Sequence, residues 1–298
     1  MVELNGKELR DKLILKLKEK VEKLPTQLGL VVIQVGEEEA SKVYVRQKEK
    51  IALELGYKFI HKVYPTSVED KELIEYIESL NNDDTIDGII VQMPLPKHLN
   101  TNAIQNTISP NKDVDGLTFY NAGKLLHNIP SLIPCTPKGI MDLLDEHKIE
   151  IAGKNVAVIG RSILVGKPIA TLLTNRNATV AICHSKTENI AVYTKNADIV
   201  IAAVGSPAFL TADMVKPGSA IIDVGINRIN GKLYGDVDYE NVSKVASYIT
   251  PVPGGVGPMT VYELMHNVYL AHELLEEERK LATERNNNKV KKLELTPR

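Results

Sequence analysis

The feature that most constrains the fold of this chain lies at positions 155–168, which read NVAVIGRSILVGKP. A short apolar run passes into a polar loop that contains glycine, and a helical pattern of apolar residues begins at Ile169. The loop residues that we predict to contact a cofactor are Gly160, Arg161, Ser162, Gly166 and Pro168. This order predicts a strand that turns tightly into the N-terminus of a helix, where nucleotide-binding folds hold a phosphate group.

The spacing of this loop, G-x-S-x-x-x-G, is one residue longer than the common G-x-G-x-x-G and has serine in place of the second glycine. A variant glycine pattern is weak by itself, so an ordinary strand-to-helix turn without a ligand is the alternative interpretation. The position of the loop between a strand and a helix favours the cofactor site.

The end of the next predicted strand indicates which dinucleotide binds. Folds that bind NAD usually place an Asp or Glu there to hold the ribose hydroxyls. Here the strand ends in His184-Ser185-Lys186-Thr187, and no carboxylate follows until Glu188. Together with Arg161 this suits a 2′-phosphate, and two charge-assisted hydrogen bonds of roughly 1.5–3 kcal/mol each would favour NADP strongly. The alternative is that Ser185 and Lys186 only cap the following helix.

Strands and helices alternate along most of the chain, which predicts an α/β fold with parallel sheets in two domains. The first set consists of a leucine-striped helix that ends before Pro25, strands at 29–35, 57–64 and 88–92, and helices at 41–55 and 68–80. The second set consists of strands near 156–159, 179–183, 199–204, 220–224 and 248–250, with a hairpin turn at Asn230-Gly231. Positions 94–137 are rich in Pro, Asn and Gly and predict loops. The long helical stretch from Val261 is expected to pack back on the first domain.

Composition excludes several classes of function. The formal net charge of −2 provides no basic field for nucleic acid or membrane partners, and the 5% aromatic content gives no stacking platform for single strands. The two cysteines, Cys135 and Cys183, do not make a disulfide framework, so a reducing, cytoplasmic setting is expected. No apolar run approaches the roughly 20 residues that span a bilayer.

A second group of residues could carry chemistry, although each has a simpler interpretation. Tyr44 and Lys48 share a helix face, where a lysine is usually solvated. Gln92 ends a buried strand, where a polar side chain often bonds to backbone. Asp115-Gly116 favours a turn, and the carboxylate two positions earlier comes without the His or Cys ligands that would indicate a metal, so we predict none. Residues 253–258, PGGVGP, form either a ligand cradle or a stiff corner.

Seven segments together resemble the methylenetetrahydrofolate dehydrogenase/cyclohydrolase family in order and spacing over roughly residues 1–280. They are SKVYVRQK at 41–48, VQMPLP at 91–96, KDVDG at 112–116, PCTPKG at 134–139, GRSILVGKP at 160–168, HSKT at 184–187 and PVPGGVGPMT at 251–260. One departure is Glu39, where the family usually has Pro. It should affect the entry to the helix and not the chemistry.

The resemblance implies two domains with a cleft between them. We predict a folate-binding catalytic domain at 1–137 plus 262–285, a Rossmann-type NADP-binding domain at 138–261, and a polar, frayed tail at 286–298. It also implies a homodimer in the cytoplasm that serves one-carbon metabolism, including purine biosynthesis.

The reaction implied is oxidation of 5,10-methylenetetrahydrofolate by NADP to the methenyl cation, followed by hydrolysis to 10-formyltetrahydrofolate. Lys48 would transfer protons in the second step, Gln92 would orient Lys48, and Tyr44 would shape the pocket. Asp115 would accept hydrogen bonds from the pterin. The remaining implied contacts are Val91, Pro253, Gly254 and Gly255 for the folate and Ile226 for the cofactor.

Three alternatives remain open. A monofunctional or NAD-preferring relative would keep the fold and lose one specificity. A dehydrogenase for another small substrate would share the cofactor loop but not Asp115 or the segment at 251–260. A non-catalytic module that senses a dinucleotide would not need the pair Tyr44 and Lys48.

Overall fold

The computed structural model describes residues 1–36 and 39–294, and the side chains of those residues except 39–44 and 286–294. In chain order the elements are β1 (Val2–Glu3), α1 (Gly6–Val21), β2 (Gly29–Val35), α2 (Glu39–Glu54), β3 (Lys58–Tyr64), α3 (Asp70–Asn81), β4 (Gly88–Val91), α4 (Thr101–Thr107), α5 (Phe119–Leu126), α6 (Cys135–Glu146) and β5 (Asn155–Ile159). They continue with α7 (Gly166–Asn175), β6 (Thr179–Cys183), α8 (Ala191–Thr194), β7 (Ile199–Ala202), β8 (Ala220–Asp223), β9 (Asn227–Ile229), β10 (Lys232–Tyr234), α9 (Tyr239–Val242), β11 (Tyr248–Ile249) and α10 (Val256–Glu294).

Contacts between residues divide the chain into two compact units. The six-stranded unit comprises Met1–Lys23 and Asp115–Met265, and the three-stranded unit comprises Leu24–Val114 and His266–Arg298. Each has a parallel sheet, as the alternation of strands and helices predicts. Across the described residues, no helix is both long enough and apolar enough to cross a bilayer.

The six-stranded unit has the strand order β1-β11-β8-β7-β5-β6, with every neighbouring pair parallel. Strands β7 and β8 are buried along their whole length, which is why they read as continuous apolar runs in the sequence. The chain leaves β5 for β6 on one side and then crosses to β7 on the other. This reversal creates a switch point at β5, and open α/β sheets bind ligands at the carboxyl ends of strands around such a point.

The N-terminus joins this six-stranded sheet. Val2 and Glu3 pair with Tyr248 and Ile249, and the N–H of Lys7 donates to the carbonyl oxygen of Gly254 at 2.9 Å. Residues 1–23 and 115–137 therefore lie in the compact unit that contains β5–β8, whereas we predicted them in the folate-binding domain. A strand of two residues has no periodicity that a sequence can reveal. As functional domains, the predicted boundaries stay a prediction.

The three-stranded unit has the order β3-β2-β4 and a core of apolar side chains from its strands and from α3 and α4. The part of α10 that begins at His266 belongs to this unit. Asn267 Nδ2 donates to the carbonyl oxygen of Val114 at 2.8 Å, and His272 Nδ1 lies 2.8 Å from Asp87 Oδ1. The expectation that the last helix packs on this part of the chain is confirmed.

Two segments differ from the prediction. The stretch 94–137, predicted as loops, contains α4, α5 and the start of α6. Asn100 Oδ1 accepts from the N–H of Ala103, and Thr118 Oγ1 accepts from the N–H of Asn121, so side-chain caps start two helices too short to show an apolar period. The predicted tail at 286–298 is also helical as far as Glu294, and residues 295–298 lie outside the described part of the chain.

Candidate active site

The predicted cofactor residues collect at the carboxyl edge of the six-stranded sheet. Gly160 directly follows β5, His184 follows β6, and Ile226 follows β8 after a short turn. Because these strands are parallel and neighbouring, their carboxyl ends share one edge. The sheet therefore places residues that are far apart in the sequence at the switch point where a dinucleotide binds in folds of this class.

Glycine is required at two points of the loop after β5. Gly160 has φ +128°, and a Cβ there would lie 2.3 Å from the carbonyl oxygen of Ala203. A Cβ on Gly166 would lie 2.2 Å from the carbonyl oxygen of Gly160. The N–H of Gly160 also donates to the carbonyl oxygen of Cys183 at 2.8 Å. The loop is thus pressed against the chain after β7, and a larger residue at either position would force it outward.

Ser162 and Pro168 shape the start of α7. Ser162 Oγ accepts from the N–H of Val165 at 3.1 Å and lies 3.4 Å from the N–H of Gly166, so it closes the loop onto the helix N-terminus. Pro168 is buried in the first turn of α7, where the absence of an N–H costs nothing. Arg161 is exposed beside this turn, which leaves its guanidinium available to an anionic ligand.

The turn after β6 is held together by hydrogen bonds among its own residues, 184–187. The N–H of His184 donates to Thr187 Oγ1 at 3.0 Å, and His184 Nδ1 accepts from the N–H of Lys186 at 3.1 Å. This bond assigns the ring proton to Nε2. Ser185 and Lys186 are exposed, and α8 begins only at Ala191. The alternative in which Ser185 and Lys186 cap the next helix is therefore wrong, and the turn offers donors and a cation.

Two buried carboxylates at this edge are functional candidates that the sequence did not predict. Asp236 accepts four hydrogen bonds at 2.7–2.9 Å, from the N–H groups of Val204, Gly205 and Ser206 and from Asn227 Nδ2. Asp223, at the end of β8, accepts from the N–H groups of Gly225, Asp236 and Val237 at 2.8–3.0 Å. In the sequence, Asp223 follows the apolar run at 220–222, whereas Asp236 follows Gly235 with no such run before it.

The electrostatics of Asp223 reflect this burial. Burial raises the pKa of its carboxyl to about 6, the charge of Asp236 acts in the same direction, and the three backbone N–H groups oppose both. Burial thus makes deprotonation of Asp223 unfavourable, and the N–H donors around its carboxyl partly offset this effect.

The three-stranded unit brings Lys48 and Gln92 together. Lys48 Nζ, on α2, donates to Gln92 Oε1 at 3.0 Å. Gln92 follows β4, where its N–H donates to the carbonyl oxygen of Ile33 at 2.8 Å and its Nε2 donates to the carbonyl oxygen of Met93 at 3.0 Å. Both side chains are half-buried, so Lys48 is not merely solvated and Gln92 is not only a backbone cap. Val91 is buried in β4 and supports this end of the strand.

The other predicted folate residues divide as follows. The side chain of Tyr44 lies outside the described part of the chain, as does that of Glu39, the departure from the family pattern. Asp115 belongs to the six-stranded unit, is half-buried, and has the thiol of Cys135 at 3.7 Å from its Oδ1. Gly116 has φ +66°, and a Cβ there would lie 2.7 Å from the carbonyl carbon of Ile133. The prediction of a turn at Asp115-Gly116 is therefore confirmed.

The segment Pro253-Gly254-Gly255 directly precedes α10. Gly254 has φ +114°, and a Cβ on Gly255 would lie 2.7 Å from the carbonyl oxygen of Pro251. Pro253 is exposed, so this bare backbone can accept a ligand on its open side. Among the side chains described, at 1–36 and 45–285, no group of three or more His, Cys, Asp or Glu residues is arranged to hold a metal ion.

Comparison with known proteins identifies the family. The profile described as "Tetrahydrofolate dehydrogenase/cyclohydrolase, catalytic domain" matches residues 4–115, and the profile for the NAD(P)-binding domain of the same family matches residues 134–276. The chain belongs to the tetrahydrofolate dehydrogenase/cyclohydrolase family. Lys48, Gln92 and Asp115 fall within the catalytic-domain match, and the loop at 160–168 falls within the NAD(P)-binding match.

Full-length relatives agree with this assignment. The bifunctional protein FolD of Ligilactobacillus salivarius is 53% identical over 266 residues, which cover 88% of this chain and 93% of that protein. The crystal structure of the bifunctional FolD from Campylobacter jejuni superposes with a TM-score of 0.90 at 44% identity and covers 92% of this chain and 99% of that one. The Trypanosoma brucei enzyme, solved with NADP and an inhibitor, has a TM-score of 0.88 at 36% identity, with 92% of this chain and 97% of that one covered.

Proposed function

We propose that this protein oxidises 5,10-methylenetetrahydrofolate to 5,10-methenyltetrahydrofolate with NADP and hydrolyses that product to 10-formyltetrahydrofolate. The observation that carries the proposal is the presence, in one member of this family, of the glycine loop after β5 and of the hydrogen bond between Lys48 and Gln92. The loop serves the first reaction, and the lysine serves the second.

The residues at the sheet edge fit NADP. The close approach of Gly160 to Ala203 leaves bare backbone for a pyrophosphate at the N-terminus of α7. Arg161, Ser185 and Lys186 are exposed and can donate to a 2′-phosphate, and no acid lies between His184 and Thr187 to hold the ribose hydroxyls of NAD instead. When bound, NADP supplies the acceptor for the hydride that leaves the methylene carbon. This oxidation requires orientation of the substrate and no metal.

On the folate side, Asp115 is proposed to accept hydrogen bonds from the amino and ring nitrogens of the pterin, a pattern that suits a carboxylate. Pro253, Gly254 and Gly255 would line the substrate with bare backbone, and Tyr44 would contact it from α2. Val91 would bring the end of β4 against the ligand. These contacts would hold the methylene carbon in place while it loses its hydride.

Hydrolysis needs proton transfer around a water that attacks the amidinium carbon. We assign this transfer to Lys48, whose neutral amine would take a proton from the attacking water. The carbon–nitrogen bond to N5 then breaks, N5 receives a proton, and the formyl group stays on N10. Gln92 would fix the orientation of the amine through its 3.0 Å bond. Because an amide is neutral, Gln92 positions the lysine without holding it permanently in the ammonium form.

One mixing experiment tests the proposal. The purified protein is combined with 5,10-methylenetetrahydrofolate and NADP, NADPH formation is followed by absorbance, and the products are separated by chromatography. We expect NADPH and 10-formyltetrahydrofolate in equal amounts. A second reaction, started from methenyltetrahydrofolate without NADP, isolates the hydrolysis. Failure to form NADPH would refute the dehydrogenase, and accumulation of the methenyl product would identify a monofunctional relative. Faster reduction of NAD than of NADP would identify an NAD-preferring one.

We also propose that the protein is a cytoplasmic homodimer whose 10-formyl product donates one-carbon units to purine biosynthesis. Ile229 in β9 and Tyr234 in β10 are exposed on the hairpin, and large exposed apolar side chains on a short two-stranded ribbon support a contact between copies. A molecular mass of one chain in sedimentation or gel filtration would contradict the dimer.

A further inference from the structure

Asp236 connects the loops after two neighbouring strands. Its Oδ2 accepts from the N–H groups of Val204 and Gly205, and its Oδ1 accepts from the N–H of Ser206, all three in the segment that follows β7. Its Oδ1 also accepts from Asn227 Nδ2, at the start of β9. Asp236 has no exposed surface, so these donors hold a carboxylate that water does not reach.

Asp223 fixes the position of Asp236 in turn. The N–H of Asp236 donates to Asp223 Oδ1 at 2.8 Å, and the N–H of Val237 donates to Asp223 Oδ2 at 3.0 Å. The packing leaves no room for change, because a Cβ on Gly225 would lie 2.3 Å from Asp236 Cγ and a Cβ on Gly235 would lie 1.8 Å from Asp223 Oδ2. The end of β8, the hairpin and the loop after β7 therefore form one tightly bonded group.

This bonded group contacts the loop after β5 through Ala203. Ala203 directly precedes the segment that Asp236 holds, and its carbonyl oxygen is the atom that excludes a side chain from Gly160. A shift of residues 203–206 would move the surface against which the loop after β5 is pressed. Ile226, the predicted cofactor contact after β8, lies between Gly225 and Asn227, which both belong to the bonded group.

We propose that Asp236 is a positioning residue for the dinucleotide: without touching the ligand, it holds the loops after β7 and β8 in the arrangement that binds NADP. The inference rests on the proposed NADP-dependent activity. The role is separable from hydrolysis of the methenyl substrate, because that reaction uses no dinucleotide and its proposed lysine lies in the three-stranded unit.

The test is Asp236→Asn, which keeps the shape of the side chain but turns one acceptor oxygen into a donor that cannot accept the N–H groups facing it. Asp238→Asn is the matched control, since Asp238 lies two residues further on and its side chain accepts from Asn241 in its own helical turn. NADP affinity is measured by calorimetry, and the KM for NADP, the kcat and the rate of methenyl hydrolysis are measured in parallel.

We expect Asp236→Asn to raise the Kd and KM for NADP at least tenfold while methenyl hydrolysis changes less than twofold and Asp238→Asn leaves all of these values unchanged. Unchanged NADP affinity in a folded Asp236→Asn variant, or a proportional loss of NADP affinity and hydrolysis, would overturn the inference. If that variant fails to fold, Asn227→Ala removes a single donor, and we expect a two- to fivefold rise in Kd. An unchanged Kd in Asn227→Ala would then overturn the inference. Absence of NADP-dependent activity in the unaltered protein would refute the proposed function instead.

Discussion

Replacing Gln92 with glutamate tests whether Lys48 must lose its proton during hydrolysis. The substitution keeps the length of the side chain and the oxygen that accepts from Lys48 Nζ at 3.0 Å, and it adds one negative charge. Opposite charges about 4 Å apart attract by about 1 kcal/mol in water and by about 4 kcal/mol near a protein surface. Because Lys48 is half-exposed and screened by salt, we take about 1–3 kcal/mol as the stabilisation of its ammonium form.

That energy converts to a rate. At about 1.4 kcal/mol per factor of ten, the fraction of neutral amine falls about 5- to 140-fold in the Gln92→Glu variant. Hydrolysis at neutral pH should slow by the same factor, because only the neutral amine can take a proton from the attacking water. The assay is the loss of methenyltetrahydrofolate absorbance at neutral pH, after subtraction of the uncatalysed rate.

Gln92→Leu is the matched control for this prediction. It removes the acceptor without adding charge, so its effect on hydrolysis reports the loss of the bond that orients the amine. A normal rate of hydrolysis in Gln92→Glu would refute this role of the Lys48 amine.

Two further predictions concern the six-stranded unit. Arg161→Ala should raise the KM for NADP over that for NAD by roughly ten- to hundredfold, the equivalent of one charge-assisted hydrogen bond of about 1.5–3 kcal/mol; an unchanged ratio in steady-state assays with both cofactors would contradict the role of Arg161. The raised pKa of Asp223, about 6 against an ordinary 3.8, means that the folded chain binds this proton more tightly than the unfolded chain. The stabilisation is therefore fully present below about pH 4 and is lost as the pH rises through 6, by about 3 kcal/mol in total. Urea unfolding from pH 4.5 to 7.5 gives the free energy of unfolding of the unaltered protein minus that of Asp223→Asn. This difference should become smaller as the pH rises, and a difference that is constant with pH would refute the prediction.

The sequence predicted the elements whose signal is local. The fully buried strands β2, β4, β7 and β8 are short, mostly apolar runs, and β2, for instance, occupies the predicted positions Gly29–Val35. The loop from Gly160 to Pro168 can be predicted from the sequence because its glycines, serine and proline are residue types that a tight turn into a helix N-terminus requires. Lys48 and Gln92 are individually ambiguous in the sequence. The structure places Lys48 Nζ 3.0 Å from Gln92 Oε1, and their catalytic roles stay a prediction.

The features that the sequence did not reveal depend on distant pairing. The strand Val2–Glu3 exists only because Tyr248 and Ile249 offer it an edge. Asp236 bonds to Val204, which lies 32 residues away, and nothing in the local pattern distinguishes it from a surface turn residue. The short helix at Thr101–Thr107 depends on the Asn100 cap and on burial of Ile104, which a composition rich in polar residues conceals.

A single protein is expected to perform both reactions, with Lys48 carrying the proton transfer of the second. Lys48→Met removes the amine and keeps most of the bulk of the side chain. The most direct measurement is the ratio of methenyl hydrolysis to NADPH formation in this variant and in the unaltered protein. We expect hydrolysis to fall by a factor on the order of 100 or more, with a much smaller loss of NADPH formation, because positioned general acids and bases contribute about 10²–10⁴-fold. Retention of hydrolysis, or an equal loss of both activities, would contradict the assignment of proton transfer to Lys48.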